Sequence, residues 1–199
     1  ARGGKLVPFA GWEMPLHFGS ILEEHRATRA SGSIFDVSHM GRLSLTGPQA
    51  EGLLDRVVTR KISGMKDGQA RYGLACREDG GTIDDLIVNR MGPEDFLVVC
   101  NGANRECVVK HLQSHNTTGA EISDDTVGST MVAVQGPAAV RRMTARWPHL
   151  SDMKRYRCGL IEHGEHSLFV ARTGYTGEDG FEVIAPGSAT EAVIELLDD

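Results

Sequence analysis

The chain of 199 residues, 40% apolar and 24% charged, is long enough to bury a core and too hydrophobic to stay disordered. Its formal net charge of −6 excludes a general electrostatic pull toward nucleic acid or anionic membranes. No run approaches the ~20 apolar residues of a membrane-spanning helix, and the start ARGGKLVPF lacks the apolar core of a secretory signal, so a soluble intracellular protein is expected.

Near the start, Phe9-Ala-Gly-Trp-Glu-Met-Pro is either an aromatic lid or the first core-packing turn. Further on, Leu43-Ser-Leu-Thr-Gly-Pro-Gln-Ala and Val132-Ala-Val-Gln-Gly-Pro-Ala-Ala share one grammar of strand, turn and helix, with Pro48 and Pro137 expected at the first helical position, where a missing N–H costs nothing. Leu53, Leu54, Val57 and Val58 then recur at helical spacing, as do Val140, Met143 and Trp147. Alternating or apolar runs predict strands at 71–76, 85–89 and 96–100 in one half and at 155–162, 167–172 and 181–184 in the other. The turns Glu78-Asp-Gly-Gly and His163-Gly-Glu-His join the first pair in each set, and helices over 104–112 and 188–197 close the halves. The acidic, glycine-containing segment 124–128 is the expected joint. This pattern predicts an α+β protein of two related units, each an antiparallel sheet with helices on one face, and a cleft where the units meet.

Three clusters could carry chemistry. In Arg172-Thr-Gly-Tyr-Thr-Gly-Glu-Asp-Gly-Phe-Glu, three glycines let backbone lie against a flat ligand while Tyr175 stacks and Glu182 accepts hydrogen bonds; the alternative is a long loop around a core tyrosine. In Gly80-Gly-Thr-Ile-Asp-Asp-Leu-Ile-Val, alternation sends Asp84 and Asp85 to opposite faces, so one of them can line the cleft, unless both are solvated turn residues. Asp36, Ser38 and His39 lie close together in sequence, but without a G-x-S-x-G elbow a locally satisfied histidine is expected. His111 and His115 lack the glutamate of H-E-x-x-H, and Cys76, Cys100, Cys107 and Cys158 form no C-x-x-C pair, so reduced thiols and no metal site are expected. Phosphate-loop and dinucleotide fingerprints are absent.

Taken together, Gly4-Lys-Leu-Val-Pro-Phe-Ala-Gly-Trp-Glu-Met-Pro, Glu24-His-Arg-Ala-Thr-Arg, Phe35-Asp-Val-Ser-His-Met, the Gly80 segment, Val134-Gln-Gly-Pro and Thr173-Gly-Tyr-Thr-Gly-Glu-Asp-Gly-Phe-Glu resemble, in order and spacing, the T-protein family of the glycine cleavage system. The resemblance implies a folate-binding fold with one discontinuous unit at 1–46 and 127–199, a second at 47–126, and a C-terminal barrel missing from this chain. It implies an aminomethyltransferase that moves a one-carbon unit from the lipoylated H-protein to tetrahydrofolate, releasing ammonia, in a bacterial cytoplasm or a mitochondrial matrix. By the same resemblance Asp85 is the catalytic acid, Tyr72, Asn101, Tyr175 and Glu182 line the folate, and an arginine-bearing segment past Asp199 meets its glutamate tail. Two other members of the superfamily fit less well: a folate-binding domain of a dimethylglycine or sarcosine oxidase, and a non-enzymatic iron–sulfur assembly factor, whose K-G-C-Y-x-G-Q signature is absent.

Overall fold

The computed structural model describes residues 3–117, 119–191 and 193. It opens on a hairpin, because Ala10 and Gly11 both take positive φ (50° and 82°), the twist a two-residue connection requires. β1 (Lys5–Phe9) thus folds back on β2 (Trp12–His17), and the segment expected as a lid or a core-packing turn is this small ribbon, with Phe9 and Leu16 half exposed. α1 (Ile21–Ala30) follows, opened by Ser20, whose hydroxyl accepts the N–H of Glu23. β3 (Ser33–Asp36) leads to β4 (Gly41–Thr46).

From β4 the chain runs through α2 (Ala50–Val57), β5 (Ala70–Cys76), β6 (Thr82–Gly92), β7 (Asp95–Cys100), α3 (Arg105–His115) and β8 (Glu121–Asp124). It then repeats the theme with β9 (Ser129–Gln135), α4 (Pro137–Arg146), β10 (Cys158–His163), β11 (His166–Ala171) and β12 (Gly180–Pro186). The two antiparallel sheets have the orders β5-β6-β7-β4-β8 and β10-β11-β12-β9-β3. Superposing the orders sets β3, from the start of the chain, where β8 stands in the other unit. The repeat inferred from sequence is therefore real and circularly shifted. Its glycines agree: Gly47 and Gly136, which end the first strand of each unit, have φ of 97° and 110°, a region that favours glycine. Pro137 opens α4 as expected, whereas Pro48 lies ahead of α2, whose N-cap is Gln49.

Alternation along the strands sorts the core into three layers. Leu43, Leu45, Leu86, Val88 and Val98 face α2 and α3 on one outer side. Val132, Val134, Val170, Phe181 and Val183 pack with Met143 and Trp147, on and just beyond α4, on the other. The intervening strand positions, among them Val99, Met131, Phe169 and Ile184, pack together between the sheets. Helices thus cover one face of each sheet, and the opposite faces meet.

The chain passes from one sheet to the other between Asp36 and Gly41 and returns between Asp124 and Ser129. Arg42 fastens both crossings. Its fully buried guanidinium donates to the carbonyl oxygens of Ser38 (2.9 Å) and Met40 on one, and of Thr126 and Ser129 (3.0 Å) on the other, and burial pulls its pKa down to about 10. Of the helix expected over 188–197, a 3₁₀ turn at Gly187–Ala189 and buried Val193 are seen, while Ala192 and Leu196 lie outside the described residues.

Candidate functional site

The face of β6 opposite Leu86 and Val88 carries Asp85, so this carboxylate looks toward the second sheet, while Asp84 looks toward α3. Neither is the solvated turn residue that Asp after Gly-Gly often is. Asp84 is 2% exposed and accepts three kinds of N–H: the backbone of Asn101 (2.8 Å) and the side-chain amides of Asn101 (2.9 Å) and Asn104 (2.7 Å). These donors sit at the 3₁₀ turn Gly102–Asn104 that leads into α3, where a negative charge also meets the positive end of the helix.

Asn101 joins the two acids. Its Nδ2 also donates to Asp85 Oδ1 at 2.8 Å, so the amide's N–H groups are shared between neighbouring carboxylates. The other oxygen of Asp85 accepts from the Tyr72 hydroxyl at 3.2 Å. Burial first, then the charge and hydrogen bond of Asp85, hold the Tyr72 phenol above its usual pKa. Tyr72, Asp85 and Asn101, predicted as separate site residues, therefore form one bonded chain.

The facing wall comes from β12 and the loop before it. Glu182 alternates with Phe181 and Val183, which point to the outer core, so its side chain lies on the inner face of its sheet. It is 3% exposed; Oε2 accepts from the Thr173 hydroxyl, while Oε1 is buried and has no partner. Burial holds this carboxyl above the ordinary range, against the opposing effect of the Thr173 bond. Tyr175 is half exposed as a residue. Its hydroxyl is pushed well above the usual phenol range by burial, then by Glu182, Asp85, Asp84 and Cys100, so it sits in the field of carboxylates from both units.

Sequence reasoning missed the peg that shapes this wall. Gln135, fully buried at the end of β9, donates to the carbonyl of Thr173 (3.1 Å) and accepts from the Thr176 hydroxyl (2.8 Å). A Cβ on Gly174 would lie 2.1 Å from Gln135 Oε1, and one on Gly180 would lie 2.3 Å from Val134 O. Those two glycines admit the protein's own β9 at close quarters, not a ligand as the sequence suggested. The loop's base is closed by Arg172, which grips Asp179 with two nitrogens at 3.0 and 2.6 Å, and Glu178 ties its tip to Arg29 of α1 at 2.9 Å.

The remaining candidates are structural. Ser38 Oγ is taken up by the backbone of Met131, and Asp36 accepts the N–H of Ser38 at 2.9 Å, so no nucleophile is poised beside His39. His39, whose pKa burial lowers, meets the edge of Phe9 at 5.5 Å between ring centres, but its buried Nδ1 has no partner, so it is not the locally satisfied histidine expected. His115 is bonded to the carbonyl of His111 one turn earlier, and among the described residues no three metal-ligating side chains come together. The four cysteines are free, with burial pushing Cys100 and Cys158 up to about 12.

The arrangement sets one carboxylate from each unit near the Tyr175 hydroxyl, with Tyr72 bonded to Asp85 and both tyrosines half exposed. The family model of the GCVT N-terminal domain matches residues 1–198. An aminomethyltransferase of Rubrobacter xylanophilus is 48% identical over 92% of this chain and 50% of its own length. One from Exiguobacterium sibiricum is 42% identical over 99% and 55%. The crystal structure of the glycine cleavage system aminomethyltransferase T from Bartonella henselae is 31% identical and superposes with a TM-score of 0.90 over 98% of this chain and 54% of that one. The chain thus spans about half the length of the relatives it matches. With the fold, the repeat and the whole-chain match in agreement, the chain belongs to the GCVT N-terminal domain family.

Proposed function

We propose that this chain forms the folate-binding and reacting part of an aminomethyltransferase of the glycine cleavage system. The whole protein would move the one-carbon unit from the aminomethyl-lipoyl arm of the H-protein to tetrahydrofolate, releasing ammonia and the reduced arm, in whichever compartment houses that system. The observation carrying this reading is the unpaired, buried Oε1 of Glu182 on the wall facing Asp85. A buried acceptor without a donor is costly, and a flat ring bearing N–H groups relieves it.

The residues fit tetrahydrofolate, which would supply the two nitrogens that take up the carbon. Glu182 accepts from the pterin's donors through Oε1, and Tyr175 offers its exposed ring as a stacking surface. Asp85, steadied by Asn101 and Tyr72, orients the reacting edge and receives a proton at a carboxylate oxygen. Much of the acceleration would come from holding acceptor and carrier arm in line. The names of the relatives favour a transferase over the oxidase and assembly-factor readings.

The test uses the full-length protein with tetrahydrofolate and H-protein loaded with the aminomethyl group. Formation of methylenetetrahydrofolate and ammonia in equal amounts is expected; a full-length protein that binds no folate and forms neither would defeat the reading.

A further inference from the structure

The three site carboxylates differ in how many side chains hold them. Asp84 and Asp85 are each bonded by two, and Glu182 by one, the hydroxyl of Thr173. On its own sheet Glu182 stands opposite Ala171 and Ala133, whose side chains bring neither donor nor charge. Facing it is the Tyr175 phenol, which also feels Asp85, Asp84 and Cys100 of the other unit; among the described residues Glu182 makes no ion pair. Thr173 is itself held from behind. Gln135 Nε2 donates to the carbonyls of Thr173 (3.1 Å) and Phe181 (3.4 Å), so one buried amide clamps both the residue that bonds Glu182 and the residue that precedes it. Gly174 and Gly180 make room for that amide, since a Cβ on them would come within 2.1 and 2.8 Å of its polar atoms. Threonine is stiff about χ1, so a clamped Thr173 backbone also sets the direction of its hydroxyl.

We infer that Thr173 is the positioning residue of the Glu182 carboxylate: clamped by Gln135, it donates to Oε2, holds the group in one orientation and keeps Oε1 for the N–H groups of a ligand. The inference rests on the folate reading above and deepens it. An ionised carboxylate can only accept, so the hydroxyl donates, and a hydrogen bond to the charged form favours that form. Thr173 acts on Glu182 in that direction, against the larger effect of burial. Without the hydroxyl, neither oxygen of this buried group has a donor within the protein. The carboxyl then takes up a proton at higher pH, and a protonated Glu182 accepts the pterin's donors less well.

The test compares full-length wild type with Thr173→Val, which keeps the shape and removes the hydroxyl, and with Thr173→Ser, which keeps the hydroxyl and removes the methyl. Calorimetry with tetrahydrofolate over a range of pH, and steady-state turnover, are the readouts. Thr173→Val is expected to lose about tenfold in folate affinity at neutral pH, with KM rising in step and kcat falling no more than about threefold. As pH is lowered, its affinity should begin to fall at a higher pH than that of wild type, a comparison in which the ligand's own titration cancels. Thr173→Ser is expected to stay within about threefold of wild-type affinity and to keep the wild-type pH dependence. Wild-type affinity in Thr173→Val, a loss in Thr173→Ser as large as in Thr173→Val, or a fall in kcat with affinity kept overturns the inference. So does a loss that is equal at every pH, since the side chain would then only pack. Should Thr173→Val fail to fold, Thr173→Ala, which puts no methyl against the carboxylate, is judged by the same loss of affinity and the same pH shift. If wild type binds no folate, the proposed function fails, and the hold on Glu182 is read without ligand by carbon-13 NMR of the glutamate carboxyls, with Glu182→Gln identifying the signal. A titration midpoint higher in Thr173→Val than in wild type retains the positioning role, and an unchanged midpoint ends it.

Discussion

The two walls of the cleft hold their carboxylates in opposite ways. Asp85 is partly exposed and bonded on both oxygens, to Asn101 and Tyr72, and Asn101 is itself fixed by buried Asp84. Glu182 is almost wholly buried, bonded on one oxygen only, and its pKa is raised by burial. One wall is preorganised and satisfied before anything binds; the other keeps an unmet acceptor. Under the proposed function the difference corresponds to a division of labour, in which the satisfied acid would serve a chemical step and the unsatisfied one recognition. Variants that separate turnover from binding test that division.

The largest effect is expected from Asp85→Asn in the full-length protein. Asn keeps the size but can neither carry the charge nor take a proton, so turnover should fall roughly 10²-fold or more with folate affinity changed only a few-fold. Single-turnover kinetics alongside calorimetry would check this. An equal loss in binding would make Asp85 a recognition residue and erase the contrast.

Glu182→Gln should act on the other quantity. An amide N–H facing the ligand's donors should cost about tenfold or more in folate affinity, in keeping with ~1.5–3 kcal/mol for hydrogen bonds to charged groups. Its pH signature is separate. Because the folded pKa of Glu182 is raised, the native state holds a proton that the unfolded chain releases, so wild-type stability is fullest below the unfolded pKa and declines as pH rises through the folded one. The ligand-free variant should therefore melt higher than wild type at pH 8 and lose that advantage by pH 4. A constant difference across the range would show that burial does not tax this carboxylate.

The inner strands of both sheets, both predicted hairpins and the opposite facing of Asp84 and Asp85 were legible in the sequence, because turn glycines and strand alternation are local. The edge strands β3 and β8 and the β1–β2 ribbon were not predicted. The glycine-rich loop singled out Glu182 and Tyr175 as candidates, and the resemblance pointed to Tyr72 and Asn101. What stayed hidden depends on segments far apart in the chain. Arg42 fastens crossings on both sides of an intervening unit, and Gln135 fills a loop that begins almost forty residues later. Alternation set Asp84 and Asp85 on opposite faces and the resemblance favoured Asp85 for the cleft, but neither could reveal that the turn before α3 closes over Asp84. Asp84→Asn is therefore not a silent change, although Asp84 and Asp85 face opposite sides of the strand. Its amide cannot accept at both ends from Asn101 and Asn104, so a loss of ~1–3 kcal/mol in stability and a few-fold fall in kcat are expected. Thermal melts and turnover would check both; an unchanged kcat would mean that Asn101 holds Asp85 without help.

The smallest effect should come from Tyr72→Phe, which removes one hydroxyl at the exposed end of the satisfied wall. At 3.2 Å and 48% exposed, this bond to Asp85 competes with water, and a net ~0.5–1 kcal/mol corresponds to a two- to fivefold loss of kcat. The ring remains, so affinity for the folate's ring system should hold. The variant also frees one oxygen of Asp85 and leaves the Asn101 bond in place. Turnover and folate affinity of the variant, measured beside wild type, check both expectations. A loss as large as that of Asp85→Asn would show that the Tyr72 hydroxyl itself joins the proton transfer, and the satisfied wall would then have two reacting groups instead of one acid and its supports.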